Sequence, residues 1–116
     1  MDENTLAELK SIIDKIGEED QAIIADIPNE HDVITLHLSV GMWIRNQIRG
    51  GKLPALFKWS QAHANPKDKS FDGQTWPIVV EVWKTLKFSP EYKKIQSLHP
   101  DPKKVALKKV RERAEQ

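Results

Sequence analysis

"NEHDVITLHLSVGMWIRNQIRGG", residues 29–51, is the stretch whose reading decides the fold. Asn29 stands where an N-cap would, Asp32 three residues later completes a capping pattern, and Gly50-Gly51 supplies a stop. Placed at 100° intervals, Val33, Ile34, Leu36, Val40, Trp43, Ile44 and Ile48 share one broad face, with Leu38 and Met42 opposite. The spacing predicts one helix over about residues 30–49. A helix so apolar on more than one side is expected to be central, with neighbours on several flanks.

The rest of the chain reads as helices arranged around it. Leu6, Leu9, Ile12, Ile13 and Ile16 form an apolar stripe behind Asn4 as cap, and Gly17 could close that helix in a left-handed turn. "EEDQAIIADI" makes a second short helix ending before Pro28. "LPALFKWSQAHA" follows, then a poorly patterned segment at 65–75 that reads as a surface loop. "TWPIVVEVWKTLKF" has Thr75 as a cap and Pro77 in the first turn. A β-strand competes there because Ile78, Val79 and Val80 are β-branched, but apolar residues recurring at three and four favour helix. Ser89-Pro90 and Asp101-Pro102 open two further segments. The expectation is an all-α, single-domain bundle of five to seven helices over residues 1–116, with acidic helices in 1–28 and a basic helix in 101–116.

Composition limits the chemistry. There is no cysteine, which removes disulfides, thiolate metal sites and a cysteine nucleophile. The start is acidic and lacks the apolar run of a secretory signal, and no stretch reaches the roughly 20 apolar residues of a membrane helix, so a cytoplasmic location is expected. The net charge of +1 hides a polarity: residues 1–32 carry −8, residues 33–91 carry +4 and residues 92–116 carry +5. Either the two ends pair with each other, or they present opposite faces to partners.

His37, Gly41 and Arg45 form a polar seam along the apolar helix. A glycine within a helix costs about 0.5–1 kcal/mol against alanine, so a close approach is expected there. The structural reading has His37 bonding a buried acceptor and Arg45 clamping an acid from the N-terminal segment. The functional reading makes Arg45, Asn46 and Arg49 donors to a partner or anion. The four histidines lack metal-ligand spacing, and "RGGK" is not a phosphate loop, so neither metal nor cofactor is expected. Trp76, beside Pro77, is the tryptophan best placed as an interface anchor. Asp14, Glu18, Glu19 and Asp20 make the acidic surface that would suit a basic target. Lys103, Lys104, Lys108, Lys109, Arg111 and Arg113 make the tail that would suit nucleic acid, or simply a solvated helix.

Leu36-His37, Gly41-Met42 and Ile44-Arg45-Asn46 together resemble the signature of a small bacterial helical domain family of unknown function. "LHPDP" at 98–102 is similar to that family's later histidine-proline-aspartate turn, and "VALKKVRERAE" to its last helix. "GGKLPALFKW" replaces the family's glycine-leucine-tryptophan segment. The similarity covers about residues 29–58 and 98–115. It implies a small helical domain without an assigned activity, and a polar cluster in which His37, Arg45 and Asp101 join the long helix to the last one. The functional expectation is a non-enzymatic bacterial protein-binding module, immunity- or antitoxin-like, that neutralises a toxin or effector by surface contact. A nucleic-acid-associated protein using the basic tail with Arg45, Arg49 and Lys52 is the alternative. A small enzyme working through His37 and Asp101 comes third.

Overall fold

The computed structural model describes residues 1–98 and 100, and every regular element in them is helical. The all-α expectation holds. In chain order the elements are α1 (Glu3–Lys15), α2 (Glu18–Ala25), a 3₁₀ segment (Glu30–Leu36), α3 (Val40–Arg49), α4 (Pro54–His63), α5 (Phe71–Phe88), a 3₁₀ turn (Pro90–Tyr92) and α6 (Lys93–Gln96). The central helix is α5 rather than the 30–49 segment. It is the longest, and it touches every other element. Thr75, Ile78, Val79, Val82, Trp83 and Leu86 recur at three and four residues, so one face of α5 is buried throughout its length. Around them close Leu9, Ile12 and Ile13 of α1, Ile24 of α2, Leu36, Ile44 of α3 and Leu56 of α4, all essentially inaccessible to solvent.

Residues 30–49 are not one helix. The 3₁₀ segment ends at Leu36, and α3 begins only at Val40 after a turn in which Ser39 adopts φ −108°, ψ −94°. Two side-chain effects account for the break. The Ser39 amide and hydroxyl both donate to the Leu36 carbonyl, at 3.2 and 3.3 Å, which competes with α-helical bonding. Upstream, the β-branched run Val33-Ile34-Thr35 is a poor α-helix former, and the Thr35 hydroxyl donates back to the Asp32 carbonyl. A 3₁₀ turn advances each residue by more than 100°, so a wheel drawn through the break loses phase. Ile34 was expected on the buried face and is 58% exposed.

Helix ends here are closed by side chains from distant parts of the chain. Leu53, at φ 63°, cannot cap α4 through its own side chain. Glu8 of α1 does so instead, accepting from the Leu56 amide at 3.0 Å and the Ala55 amide at 3.4 Å. At the end of α2 the Trp83 indole donates to the Ile27 carbonyl at 2.9 Å and Lys87 to the Ala25 carbonyl at 3.1 Å. Gln96 of α6 donates to the Leu86 and Ser89 carbonyls, closing α5. Buried Gln21 donates to the Ile13 and Ile16 carbonyls and so fixes the α1–α2 corner. Each bond satisfies a carbonyl or amide that the helix itself leaves over.

Several boundaries differ from the sequence reading. Asp2, not Asn4, caps α1 by accepting from the Thr5 amide at 2.8 Å. Gly17 is extended at φ −62°, not left-handed, because α2 begins immediately after it. The 65–75 loop is shorter than expected, since Ser70 caps α5 and residues 71–75 are already helical. Thr75 is therefore inside α5, its hydroxyl donating to the Phe71 carbonyl, and Pro77 lies beyond the first turn. The charge polarity is partly neutralised within the molecule, since Lys94 pairs with Glu18 at 3.2 Å and Lys10 with Glu91 at 2.7 Å. No helix among the described residues is long and apolar enough to cross a membrane.

Candidate functional site

The break before α3 and the start of α5 meet at one surface, and the polar seam lies between them. Arg45 sits two turns into the stretch beyond His37, and its guanidinium folds back over Gly41. Its Nη2 donates to the His37 carbonyl at 3.0 Å, and its Nε approaches Asp72 Oδ1 at 3.2 Å. In an unbroken helix the Gly41 amide would be expected to take the His37 carbonyl; here the arginine closes the break. Asp72 also faces His37, whose Nε2 is 3.4 Å from Oδ2. One carboxylate on α5 thus joins an imidazole and a guanidinium that are both borne by the preceding strand of chain. The Arg45 side chain is only 6% exposed, against 50% for Asp72. The acid that Arg45 clamps is therefore Asp72, not one from the N-terminal segment as expected.

Gly41 is what makes this packing possible. A Cβ there would lie 3.1 Å from Arg45 Nη1, 3.2 Å from the Leu36 carbonyl oxygen and 3.6 Å from Val79 Cγ2. The close approach expected of this glycine is that of the α3 arginine and of α5. Gly41→Ala gains about 1 kcal/mol of helix propensity but must displace a pinned guanidinium and a backbone oxygen, an overpacking cost of about 1–3 kcal/mol. The expected result is a net destabilisation of about 1 kcal/mol by denaturant unfolding, with an unchanged slope.

Beside this cluster opens a cleft of about 330 Å³, lined among others by Ile34, His37, His63, Asp68, Asp72 and Trp76. The first turn of α5 is organised around it. Ser70 Oγ donates to Asp68 Oδ1 at 2.5 Å and accepts from the Gly73 amide at 3.0 Å, and the Ser70 amide also donates to Asp68. The Ser70 side-chain bond, and then the backbone bond, hold the Asp68 carboxyl below the usual carboxylate range. A Cβ on Gly73 would collide with that carboxylate, so the glycine leaves Asp68 its position. His63 stacks on Trp59 with ring centroids 4.5 Å apart, and its Nδ1 lies 2.8 Å from the Trp59 carbonyl. A carbonyl can only accept, so Nδ1 carries the proton and Nε2 is the ring's acceptor in the neutral form. Trp76 lies with its ring centroid 6.4 Å from that of His37.

The residues singled out from sequence fall into different places. His37, Gly41 and Arg45 come together; Asp101 and the basic positions Lys103, Lys104, Lys108, Lys109, Arg111 and Arg113 lie outside the described residues. Trp76 lines the cleft. Asn46 and Arg49 are exposed but engaged, Arg49 donating to Asn46 at 3.2 Å and standing 4.8 Å over the Phe71 ring. Among the acidic residues, Asp14, Glu18 and Glu19 are exposed, whereas Asp20 is 1% exposed in the first turn of α2 and is no part of the outer acidic surface. Arg45 is equally unsuited to an outer contact, being buried. His63, Asp68, Asp72 and Gly73 were not singled out. For the last three the signal was present in "DKSFDGQTWP", where Asp72 and Trp76, and Gly73 and Pro77, are one helical turn apart once Ser70 is taken as the cap.

No three His, Asp or Glu side chains among the described residues converge as metal ligands would. Comparison with family models, with curated proteins and with solved structures finds no match for the chain.

Proposed function

We propose that this protein is a non-enzymatic protein-binding module whose recognition surface is the cleft between the 3₁₀–α3 turn and the start of α5, acting in the manner of a bacterial immunity protein or antitoxin on a toxin or effector. The observation that carries the reading is the exposure of two large aliphatic side chains near His37, one of which, Ile34, lines the cleft together with Trp76. Ile34 and Leu38, on either side of His37, are 58% and 52% exposed, while half-buried Trp76 sits next to that histidine. A half-buried tryptophan sharing a cleft with an exposed isoleucine, with a second exposed aliphatic side chain on the same turn, is the composition of an interface anchor. The polar groups around it are committed to structure. Asp72 engages Arg45 and His37, and the Ser70 hydroxyl engages Asp68 and the Gly73 amide, so neither supplies a poised nucleophile–base pair. The N-terminal acids contribute less to this reading than sequence suggested, because Glu18 is paired with Lys94 and Asp20 is buried.

The test is affinity capture from a bacterial lysate with the wild-type chain and with an Ile34→Asp/Leu38→Asp double variant that melts at the same temperature. Retention of one stoichiometric protein by the first and its loss, by at least about tenfold, from the second is expected, since desolvated anchors contribute about 2 kcal/mol or more each. Equal retention by both, or none by either, would remove the reading. Binding of duplex or single-stranded nucleic acid that falls steeply with salt would instead favour the alternative based on the basic tail. That alternative has lost Arg45 to the interior.

A further inference from the structure

Asp68 differs from the other charged groups of the cleft. Both oxygens of Asp72 are already engaged, by Arg45 and by His37. Asp68 accepts two hydrogen bonds from Ser70, both to Oδ1, and pairs with no cation among the described residues. Lys67 and Lys69 adjoin it in sequence but do not line the cleft. With the Ser70 bonds holding its carboxyl ionised, Asp68 leaves the cleft with an uncompensated negative charge. Trp76 and His63 line the same cleft, Trp76 as an aromatic surface and His63 with its Nδ1 turned to the Trp59 carbonyl. At about 330 Å³ the space is at the lower end for ligand pockets, which suits one long side chain and not a nucleotide.

We propose, resting on the protein-binding reading above, that the partner inserts an arginine side chain into this cleft, its guanidinium lying against Trp76 and bonding to Asp68. The choice of arginine follows from the shape and chemistry of the walls. A guanidinium is planar and weakly hydrated, so it stacks on an indole while its fork donates to a carboxylate; an ammonium satisfies the carboxylate but not the flat wall. An anion is disfavoured by the same carboxylate, and a neutral apolar chain would leave Asp68 partly desolvated and unpaired. Gly73 is part of the device, because any side chain there would push the Asp68 carboxylate aside.

The probe is Nα-acetyl-arginine amide, titrated into the full chain at low salt while the Trp76 indole N–H is followed by ¹H–¹⁵N spectra. Acetyl-lysine amide and acetyl-citrulline amide serve as controls, the latter because it keeps the planar shape without the charge. The expected result is a saturable shift of the Trp76 signal with a midpoint on the order of 1 mM, the scale for one small fragment. Lysine amide is expected to bind several-fold more weakly, and citrulline amide or the Asp68→Asn variant at least about tenfold more weakly. Asp68 is exposed, so the Asn variant should fold; Trp76→Phe, which keeps a ring and is followed through the backbone amide of Gly73 instead, should reduce the affinity without abolishing it. No saturable shift with arginine amide, or an equal one with citrulline amide, would overturn the proposal. The titration needs no partner. A partner captured through Ile34 and Leu38 but no arginine response would overturn this inference alone, whereas an arginine response with no captured protein would overturn the protein-binding reading.

Discussion

Leu86→Ala is expected to lower the unfolding free energy by about 3 kcal/mol, and Leu38→Ala by less than about 0.5 kcal/mol. The two substitutions remove the same atoms, so the difference isolates burial. Leu86 is fully buried on α5, at the helix that every other element packs against. Deleting its isobutyl group loses transfer free energy and leaves a cavity that several helices would have to move to fill. Leu38 is more than half exposed in the turn between the 3₁₀ segment and α3, where water fills the space at little cost. In a domain of this size, total stability is about 5–15 kcal/mol, so the first variant should melt roughly 12–20 °C lower and the second within a few degrees of the parent. Chemical unfolding with a common slope measures both. Similar losses at the two positions would mean that the 30–49 stretch, and not α5, is the organising element.

That contrast also marks what was legible in the sequence. Periodicity gave α5 as a helix and part of its buried face: of the expected stripe Trp76, Val79, Val80, Trp83 and Leu86, Val79, Trp83 and Leu86 are buried and Trp76 and Val80 half-buried, while Ile78 and Val82 are buried besides. It failed at 36–40. The pattern through Leu36, Val40 and Ile44 is as helical as any in the chain, yet Ser39 takes the Leu36 carbonyl and the chain turns. A serine's bond to the backbone three residues back is a local choice that a hydropathy wheel does not register. His37, Gly41 and Arg45 were recognisable as a unit because an internal glycine needs a reason. Their acid was not recognisable. Asp72 lies in a stretch that reads as loop until Ser70 is seen to be its cap, and neither periodicity nor charge count links positions 45 and 72. The same holds for Glu8 capping α4 and Trp83 closing α2: both partners are visible, but only the packing of helices brings them within reach.

In a thermodynamic cycle, Asp72→Ala is expected to cost about 2 kcal/mol, Arg45→Met about 1 kcal/mol, and the double variant little more than Arg45→Met alone. The asymmetry arises because the two side chains are not equally buried. Removing the carboxylate leaves a guanidinium that is 6% exposed with the His37 carbonyl as its remaining partner, and a buried charge without its counter-ion is costly. The loss stays below the 3–5 kcal/mol typical of a fully buried pair because Asp72 is half in water, so its attraction to Arg45 is screened. Removing the guanidinium returns the carboxylate to solvent, where it needs no partner, and methionine can fill the channel over Gly41 with little strain. The remaining cost is one lost donor to the His37 carbonyl, at a turn that water can reach. Once Arg45 is gone, Asp72 has nothing buried to neutralise, and its own removal should add only a few tenths of a kcal/mol. The coupling energy is therefore about 1.5 kcal/mol, read from urea unfolding of the four proteins. Additivity within about 0.5 kcal/mol would show that the pair is a surface contact, and would take away the anchor that holds the 3₁₀–α3 turn, and with it Ile34 and Leu38, against the start of α5.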